Sequence, residues 1–260
     1  MRLREEKLCR YITPLREGGS LPALAEAEDG FKYVVKFRGA GHGTKALIAD
    51  LIGGMVAHAL GFNVPELVFL DLDKKFGITE GDEEIQDLLK GSVGRNIGLH
   101  FLSGAFTFDA SVNDVDPATA AKIVWLDAFL TNVDRTTLNT NILVWDRKLW
   151  LIDHGASLMF HHAWSDPMKA ALSPFPYIKN HALLRKASSI VEIDKLMRQK
   201  ITPRTLSHIV DLIPDEWLHR EGEDLTPNQI RDSYKLFLTE RLKNSIIFAQ
   251  YADDTRKSLV

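Results

Sequence analysis

Cysteine is almost missing from this chain of 260 residues: Cys9 stands alone. No internal disulfide can form, which fits a reducing compartment. Long apolar runs are missing too, with none approaching the ~20 residues that span a bilayer. The start, Met-Arg-Leu-Arg-Glu-Glu-Lys, lacks the apolar stretch of a signal peptide. A cytoplasmic protein with no membrane partner is expected. Charge of one sign is scarce: 32 basic and 35 acidic residues give a formal net charge of −3. Without a basic stripe, nucleic acid has no electrostatic hold on the chain. There is no internal repeat and no low-complexity tract. What remains is an ordinary globular composition, 45% hydrophobic and 26% charged, in a chain long enough for a core in one domain or two lobes.

Against this plain background one segment stands out. It runs Leu130-Thr-Asn-Val-Asp134-Arg135-Thr-Thr-Leu-Asn139-Thr-Asn141, then Ile142–Trp145, Asp146-Arg147-Lys148, Leu149–Ile152 and Asp153-His154-Gly155. The two apolar runs, rich in β-branched and aromatic residues, read as strands, and the charged triplet reads as the turn between them. A hairpin there doubles the chain back, so Asp134, the two asparagines and Asp153 converge. Such a set suits phosphoryl transfer, where one carboxylate orients the nucleophile while an Asn oxygen and a second carboxylate hold Mg²⁺ against the phosphates. The order Asp, Asn, then Asp-x-Gly after a hairpin is that of protein and lipid kinases. A plain surface hairpin would also favour Asp and Asn, but the apolar run Ala121–Leu130 leading in ties this loop to the core. Asp134 is expected to position the acceptor hydroxyl. Asn139 or Asn141, with Asp153, is expected to carry Mg²⁺. Arg135 either balances charge in the loop or lies on the surface.

Upstream, Phe31–Phe37 alternates, with Tyr33, Val35 and Phe37 on one face and Val34 and Lys36 on the other. Lys36 is then placed to reach the α/β-phosphates of ATP. Lys32 shares that face, and a solvated strand lysine is the bland alternative. Gly18-Gly19-Ser20 forms a turn whose N–H groups can lie over phosphates, and Ser20 is a candidate for self-phosphorylation. Gly39-Ala-Gly41-His-Gly43-Thr44-Lys45 has neither the Gly-Lys-Ser/Thr order of a Walker A loop nor the spacing of a dinucleotide fingerprint. It reads as a flexible connection into a helix over 44–60, ended by Gly61. That helix buries Ile48, Leu51, Ile52, Met55 and Ala59. Its other face sets Asp50 among Ala46, Gly53, Gly54 and Ala57. Two mid-helix glycines cost about 1 kcal/mol each relative to Ala, which close approach of another element would explain. Asp50 is then the expected partner of Lys36, where kinases use a glutamate.

Strands dominate from Tyr11 to Leu70, and helices from Glu83 onward apart from the hairpin. The charged stretch 71–82 marks the boundary, giving an N-lobe over 1–72 and a helical C-lobe with the catalytic hairpin over 73–260. Asp116-Pro117, Thr202-Pro203 and Thr226-Pro227 each pair an N-cap with a first-turn proline. The last opens a helix with Ile230, Tyr234, Phe237, Leu238 and Leu242 on one face. The expected fold is α+β: a bilobal, protein-kinase-like arrangement of a small sheet-rich N-lobe and a larger helical C-lobe.

Gly18-Gly19-Ser20, Tyr33-Val-Val-Lys36-Phe37, Leu60-Gly-Phe-Asn-Val-Pro-Glu66, Asn132-Val-Asp134-Arg135 and Leu151-Ile-Asp153-His-Gly-Ala-Ser157 together resemble the HipA-like kinases, which are related to the phosphatidylinositol kinases. The resemblance implies Mg²⁺ and ATP as cofactors and transfer to a protein Ser/Thr or to the enzyme itself. It also implies a regulatory serine near the phosphate loop and an antitoxin-type partner, of which the chain itself shows nothing. Three departures stand out: Asp50 replaces a Glu, Asp-His-Gly replaces Asp-Phe-Gly, and the chain is shorter than the toxin kinases. The acceptor, protein or small molecule, is not legible. Two alternatives stay open. One is a non-catalytic nucleotide-binding scaffold, a pseudokinase; the other is a metal-dependent hydrolase using His154, His161 and His162, although His-Glu-x-x-His is missing.

Overall fold

The computed structural model describes residues 2–15, 21–41, 43–76, 81–219, 222 and 224–259. Gly18, Gly19 and Ser20 lie outside the described residues, and so does the turn expected there. Five strands form a closed barrel in the N-terminal part: β1 (Arg4–Pro14), β2 (Ala23–Ala27), β3 (Lys32–Lys36), β4 (Leu67–Leu72) and β5 (Gly94–His100). Their order is β1-β2-β3-β5-β4, closed by parallel pairing of β1 with β4. Tyr33, Val35 and Phe37 point into the barrel core with Val68 and Leu70, as the alternation along β3 requires. Ala23, Ala25 and Ala27 on β2 leave those large side chains room.

Residues 94–100, expected in a helical region, form β5 instead. Their Gly-Arg-Asn-Ile-Gly-Leu-His sequence has a poor strand pattern because Gly98 must admit Leu70: a Cβ there would fall 2.3 Å from Leu70 Cδ1. The sheet-rich part of the chain therefore runs to His100.

Helix α1 (Gly43–Leu60) lies between barrel and helices, and both of its faces are buried. A helix apolar all round belongs in the interior. Helix α2 (Glu83–Gly91) is capped by Asp82 and packs beside the barrel. After β6 (Phe106–Thr107) comes α3 (Pro117–Leu130), the central helix of the larger part, buried from Ala120 to Leu130 except Lys122. Asp116 caps it, as Asp-Pro predicts, and Thr131 ends it in the left-handed conformation. Strands β7 (Ile142–Trp145) and β8 (Lys148–Leu151) form the hairpin. Asp146 and Arg147 both have positive φ, as a two-residue hairpin turn with matching twist demands.

The remaining α-helices among the described residues are α4 (Phe160–Ala163), α5 (Pro167–Ala171), α6 (Ile190–Lys200), α7 (Pro203–Asp211), α8 (Pro227–Lys243) and α9 (Ile246–Leu259), with 3-10 turns at Pro176–Asn180, Leu184–Lys186 and Asp215–Trp217. Thr202 and Thr226 act as N-caps, the latter in a full capping box with Gln229. The expected apolar face of α8 is buried. From that face Arg241 donates to Ala128 O and Phe129 O at the end of α3, to Ala171 O at the end of α5 and to Ser173 O just after it. Its guanidinium also lies 4.8 Å from the Phe248 ring centroid. Helix C-termini leave carbonyls without intrahelical partners and carry partial negative charge, so one arginine joins two helix ends. This fixes the base of the loop that follows α3. Among the described residues no helix is long and apolar enough to cross a membrane.

Candidate active site

The site has two halves, one from β3 and α1 and one from the loop and hairpin after α3. In the first, Lys36 Nζ donates to Asp50 Oδ2 at 2.8 Å and to Asp153 Oδ1 at 2.6 Å. Strand alternation aims Lys36 away from the barrel core and toward α1. Asp50 sits on the small-residue face of α1, and the glycines there do what close approach requires. A Cβ on Gly53 would lie 2.4 Å from His154 Cβ, and one on Gly54 would lie 2.6 Å from Leu67 Cδ1. The Asp-His-Gly turn can therefore reach Asp50, whose Oδ1 accepts from His154 N at 2.8 Å. Although one methylene shorter than Glu, this side chain reaches both Lys36 Nζ and the His154 N–H.

Burial pushes the Asp50 carboxyl up to about 6, held from rising further by Lys36 and the His154 N–H. Burial opposes the Lys36 charge, but Asp50 and Asp153 outweigh it and raise its pKa. Burial likewise works against ionised Asp153, yet Lys36 and the Gly155 N–H hold its carboxyl below the usual range. Asp153 differs from its partners in access: 39% of its side chain is exposed, against 2% for Asp50.

In the second half, Asn139 Nδ2 and Asn141 Nδ2 donate to Asp134 Oδ2 at 2.8 and 3.1 Å. Asp134 N in turn donates to Asn132 Oδ1 at 3.1 Å. Asn139 is exposed and Asn141 buried. Hairpin register sets Asn141 beside Ile152, whose N–H donates to Asn141 O at 3.0 Å, so Asp153 follows directly. Asn141 and Asp153 have φ of 49° and 51°. Left-handed non-glycine residues are uncommon, although Asn and Asp tolerate the region best, and they gather at functional sites.

Beneath the second half Arg135, which is buried rather than superficial, ties the catalytic loop to α3 and to the hairpin. Its Nε donates to Asp127 Oδ2 at 2.6 Å, and its Nη1 donates to Asn141 O and, at 3.4 Å, to Ile152 O. Asp127 Oδ1 accepts from Asn132 Nδ2, and Oδ2 lies 2.9 Å from His181 Nε2. Burial works against the Asp127 charge, but Arg135 and His181 overcome it and lower the carboxyl pKa. Sequence reasoning missed Asp127, Asn132 and His181. Asp127 carried a signal, a lone carboxylate inside Ile123-Val-Trp-Leu-Asp-Ala-Phe-Leu130, whereas His181, 54 residues away, carried none.

Of the three histidines near Asp153, His154 and His161 are buried and His162 is exposed. His154 is buried; burial and nearby Arg135 push its pKa down to about 3, so the ring is neutral. Its Nε2 and Arg135 Nη2 are buried without a hydrogen-bond partner. His161 Nδ1 lies 3.0 Å from Tyr234 Oη, and its ring packs edge-on against His162. Among the described residues no group of three His, Cys, Asp or Glu side chains is disposed to hold a metal ion.

A lysine clasped by a helix aspartate and an Asp-x-Gly aspartate, beside a loop that gathers Asp, Asn and Asn, is the architecture of a kinase. The chain belongs to the HipA-like kinase family, whose model matches residues 9–245. In three dimensions it is similar to the crystal structure of the Helicobacter pylori proinflammatory kinase CtkA, with a TM-score of 0.57. That likeness covers 99% of this chain and 98% of the other at 12% sequence identity, and it speaks to the fold. No curated protein matches the chain by sequence.

Proposed function

We propose that this chain is an ATP- and Mg²⁺-dependent kinase that transfers the γ-phosphate to a serine or threonine of a protein or to itself. The observation that carries this reading is the Lys36 ammonium bridging Asp50 and Asp153. Asp50, sealed from solvent, keeps Lys36 charged and extended. Lys36 then binds the α/β-phosphates, exchanging Asp153 for phosphate oxygens. Asp153, freed and partly exposed, would hold Mg²⁺ with Asn139 or Asn141. This donor set fits: carboxylate and amide oxygens are the hard ligands Mg²⁺ prefers, and Asp134 engages only the nitrogen ends of the two amides. When bound, the ion neutralises phosphate charge.

Asp134 accepts the proton of the acceptor hydroxyl as its oxygen bonds to the γ-phosphorus and the bond to the bridging β–γ oxygen breaks, leaving ADP. ATP would lie in a cleft between the barrel-bearing lobe and the helical lobe, in a protein working in the cytoplasm. With Mg²⁺ present, ATP should raise the melting temperature, by an amount equivalent to about 2.7 kcal/mol at a hundredfold excess over Kd. Chelation should remove most of that shift, and labelled ATP should leave label on protein. Equal stabilisation with and without the metal would remove Asp153 from the ligand role. Binding without transfer to any acceptor would instead mark a scaffold, and a shift from Zn²⁺ alone a hydrolase.

A further inference from the structure

Beside the catalytic loop runs a groove of about 450 Å³. Thr136 and Leu138 form one wall, and Lys179, Arg185 and Leu259 line the rest over buried His181. Among the described residues lining it there is no carboxylate side chain. The two charged side chains described along it, Lys179 and Arg185, are both cations, in a chain with a formal net charge of −3. Arg185 is held in place by donating to Leu259 O at 2.8 Å, while Lys179 is exposed. Leu138, at 99% exposure, offers an apolar contact at the lip.

The groove and the catalytic loop are one rigid piece. Thr136 bridges to His181 in antiparallel fashion, and Ala182 N donates to Arg135 O at 3.0 Å. His181 also contacts Asp127, the carboxylate that holds Arg135. The groove is close to the chemistry as well. Thr136 is two residues from Asp134, so their Cα atoms are at most about 7.6 Å apart, two steps of ~3.8 Å. An extended segment whose hydroxyl meets Asp134 would place its next two or three residues in the groove.

We infer that this groove docks the acceptor, and that it takes an extended acidic segment of a protein, with an apolar side chain against Leu138. The inference rests on the kinase reading above. Carboxylates on the segment meet Lys179 and Arg185, and complementary charge of this kind selects partners and speeds encounter. Among the described residues lining the groove there is no phenyl, phenol or indole ring, the stacking platform that favours a nucleic-acid strand.

The test uses two synthetic fluorescein-labelled peptides, each with a single serine followed by leucine, one flanked by glutamates and one by lysines. Binding is read by anisotropy, and transfer by KM and kcat with labelled ATP. Wild type should bind the acidic peptide about tenfold more tightly, with the difference in KM rather than kcat. The double charge reversal Lys179→Glu with Arg185→Glu should invert the preference while keeping a cooperative melt. Inversion of preference is the result a merely folded variant could not give by accident. Transfer that ignores the charge reversal would overturn the docking site and leave the kinase reading standing. Acidic-peptide binding that the reversal abolishes, with no transfer at all, would keep the docking site and sink the kinase reading. An oligonucleotide that displaces the acidic peptide at lower concentration would overturn the proposed occupant. So would a dimer that dissociates on charge reversal, since a second copy would then fill the groove.

Discussion

Arg135 and Lys36 are both buried cations held by aspartates, but their surroundings differ in one respect. The Arg135 and Asp127 side chains are wholly sealed, at 0% exposure each, and His181 is at 2%. The Lys36 cluster is sealed at Asp50 but open at Asp153. A sealed charge pair has no ligand to exchange with. The Arg135 Nη1 grips backbone carbonyls of residues 140, 141 and 152, so its work is to hold two loops in register. An open pair can give up one partner to something arriving from solvent. The comparison separates scaffold from chemistry by access rather than by residue type.

Removing the sealed carboxylate should have the largest effect. Asp127→Ala leaves Arg135 buried without its charge partner, and breaking such a pair costs about 3–5 kcal/mol. Urea unfolding should report that loss. Asp153→Ala, at the open cluster, should cost about 1 kcal/mol or less, since Lys36 keeps Asp50. Equal losses in the two variants would erase the distinction.

A smaller effect is expected where α1 meets the Asp-His-Gly turn. Gly53→Ala sets a Cβ against His154 Cβ, which is fixed to its own backbone, so helix and turn must part. Overpacking of this kind costs about 1–3 kcal/mol, against about 1 kcal/mol gained in helix propensity. Gly54→Ala meets only the movable end of Leu67 and should lose less. Nucleotide binding, read by thermal shift with ATP and Mg²⁺, should fall for Gly53→Ala more than for Gly54→Ala. The reverse order would mean that Gly53 does not serve the approach of His154 to Asp50.

The smallest effect at neutral pH belongs to His154→Phe, which restores the Asp-Phe-Gly order. Native His154 titrates at about 3 because burial, aided by nearby Arg135, disfavours its charge, whereas free imidazole titrates near ~6.5. The unfolded chain therefore binds the proton first as acid is added. The stability that neutral His154 provides is full above ~6.5 and declines as pH falls toward about 3. Phenylalanine has no such loss, so the variant should be more stable than wild type by about 2 kcal/mol near pH 5. It should differ little from wild type at pH 7, because it also removes the unpaired Nε2. Parallel stability curves across that range would show His154 to be solvated.

How much of this was legible in the sequence depended on local pattern. Alternation along Phe31–Phe37 gave the barrel face and aimed Lys36, and the paired glycines in α1 pointed to the approach that brings Asp50 to it. Asp-Pro and Thr-Pro gave three helix starts. The hairpin was legible from its apolar runs, with β8 beginning at Lys148 because the turn uses two residues, not three. What was not legible depended on distant partners. Gly98 makes β5 a strand only because Leu70 lies over it. Arg135 could be read as surface or loop, since the Asp127–His181 contact that buries it joins residues far apart in sequence. Gly39, read as part of a flexible connection, is pinned, its N–H donating to Ser92 Oγ at 3.1 Å, and α1 begins already at Gly43.

The most direct test of the central claim compares two single substitutions under labelled ATP and Mg²⁺, with transfer and nucleotide binding measured on each. Asp134→Asn should bind ATP as wild type does, read by thermal shift, and transfer no label, because that carboxylate meets the acceptor and not the nucleotide. Asp153→Asn should lose both. If the two variants bind ATP alike, or if Asp134→Asn still transfers label at the wild-type rate, the division of labour between the loop and the hairpin is wrong.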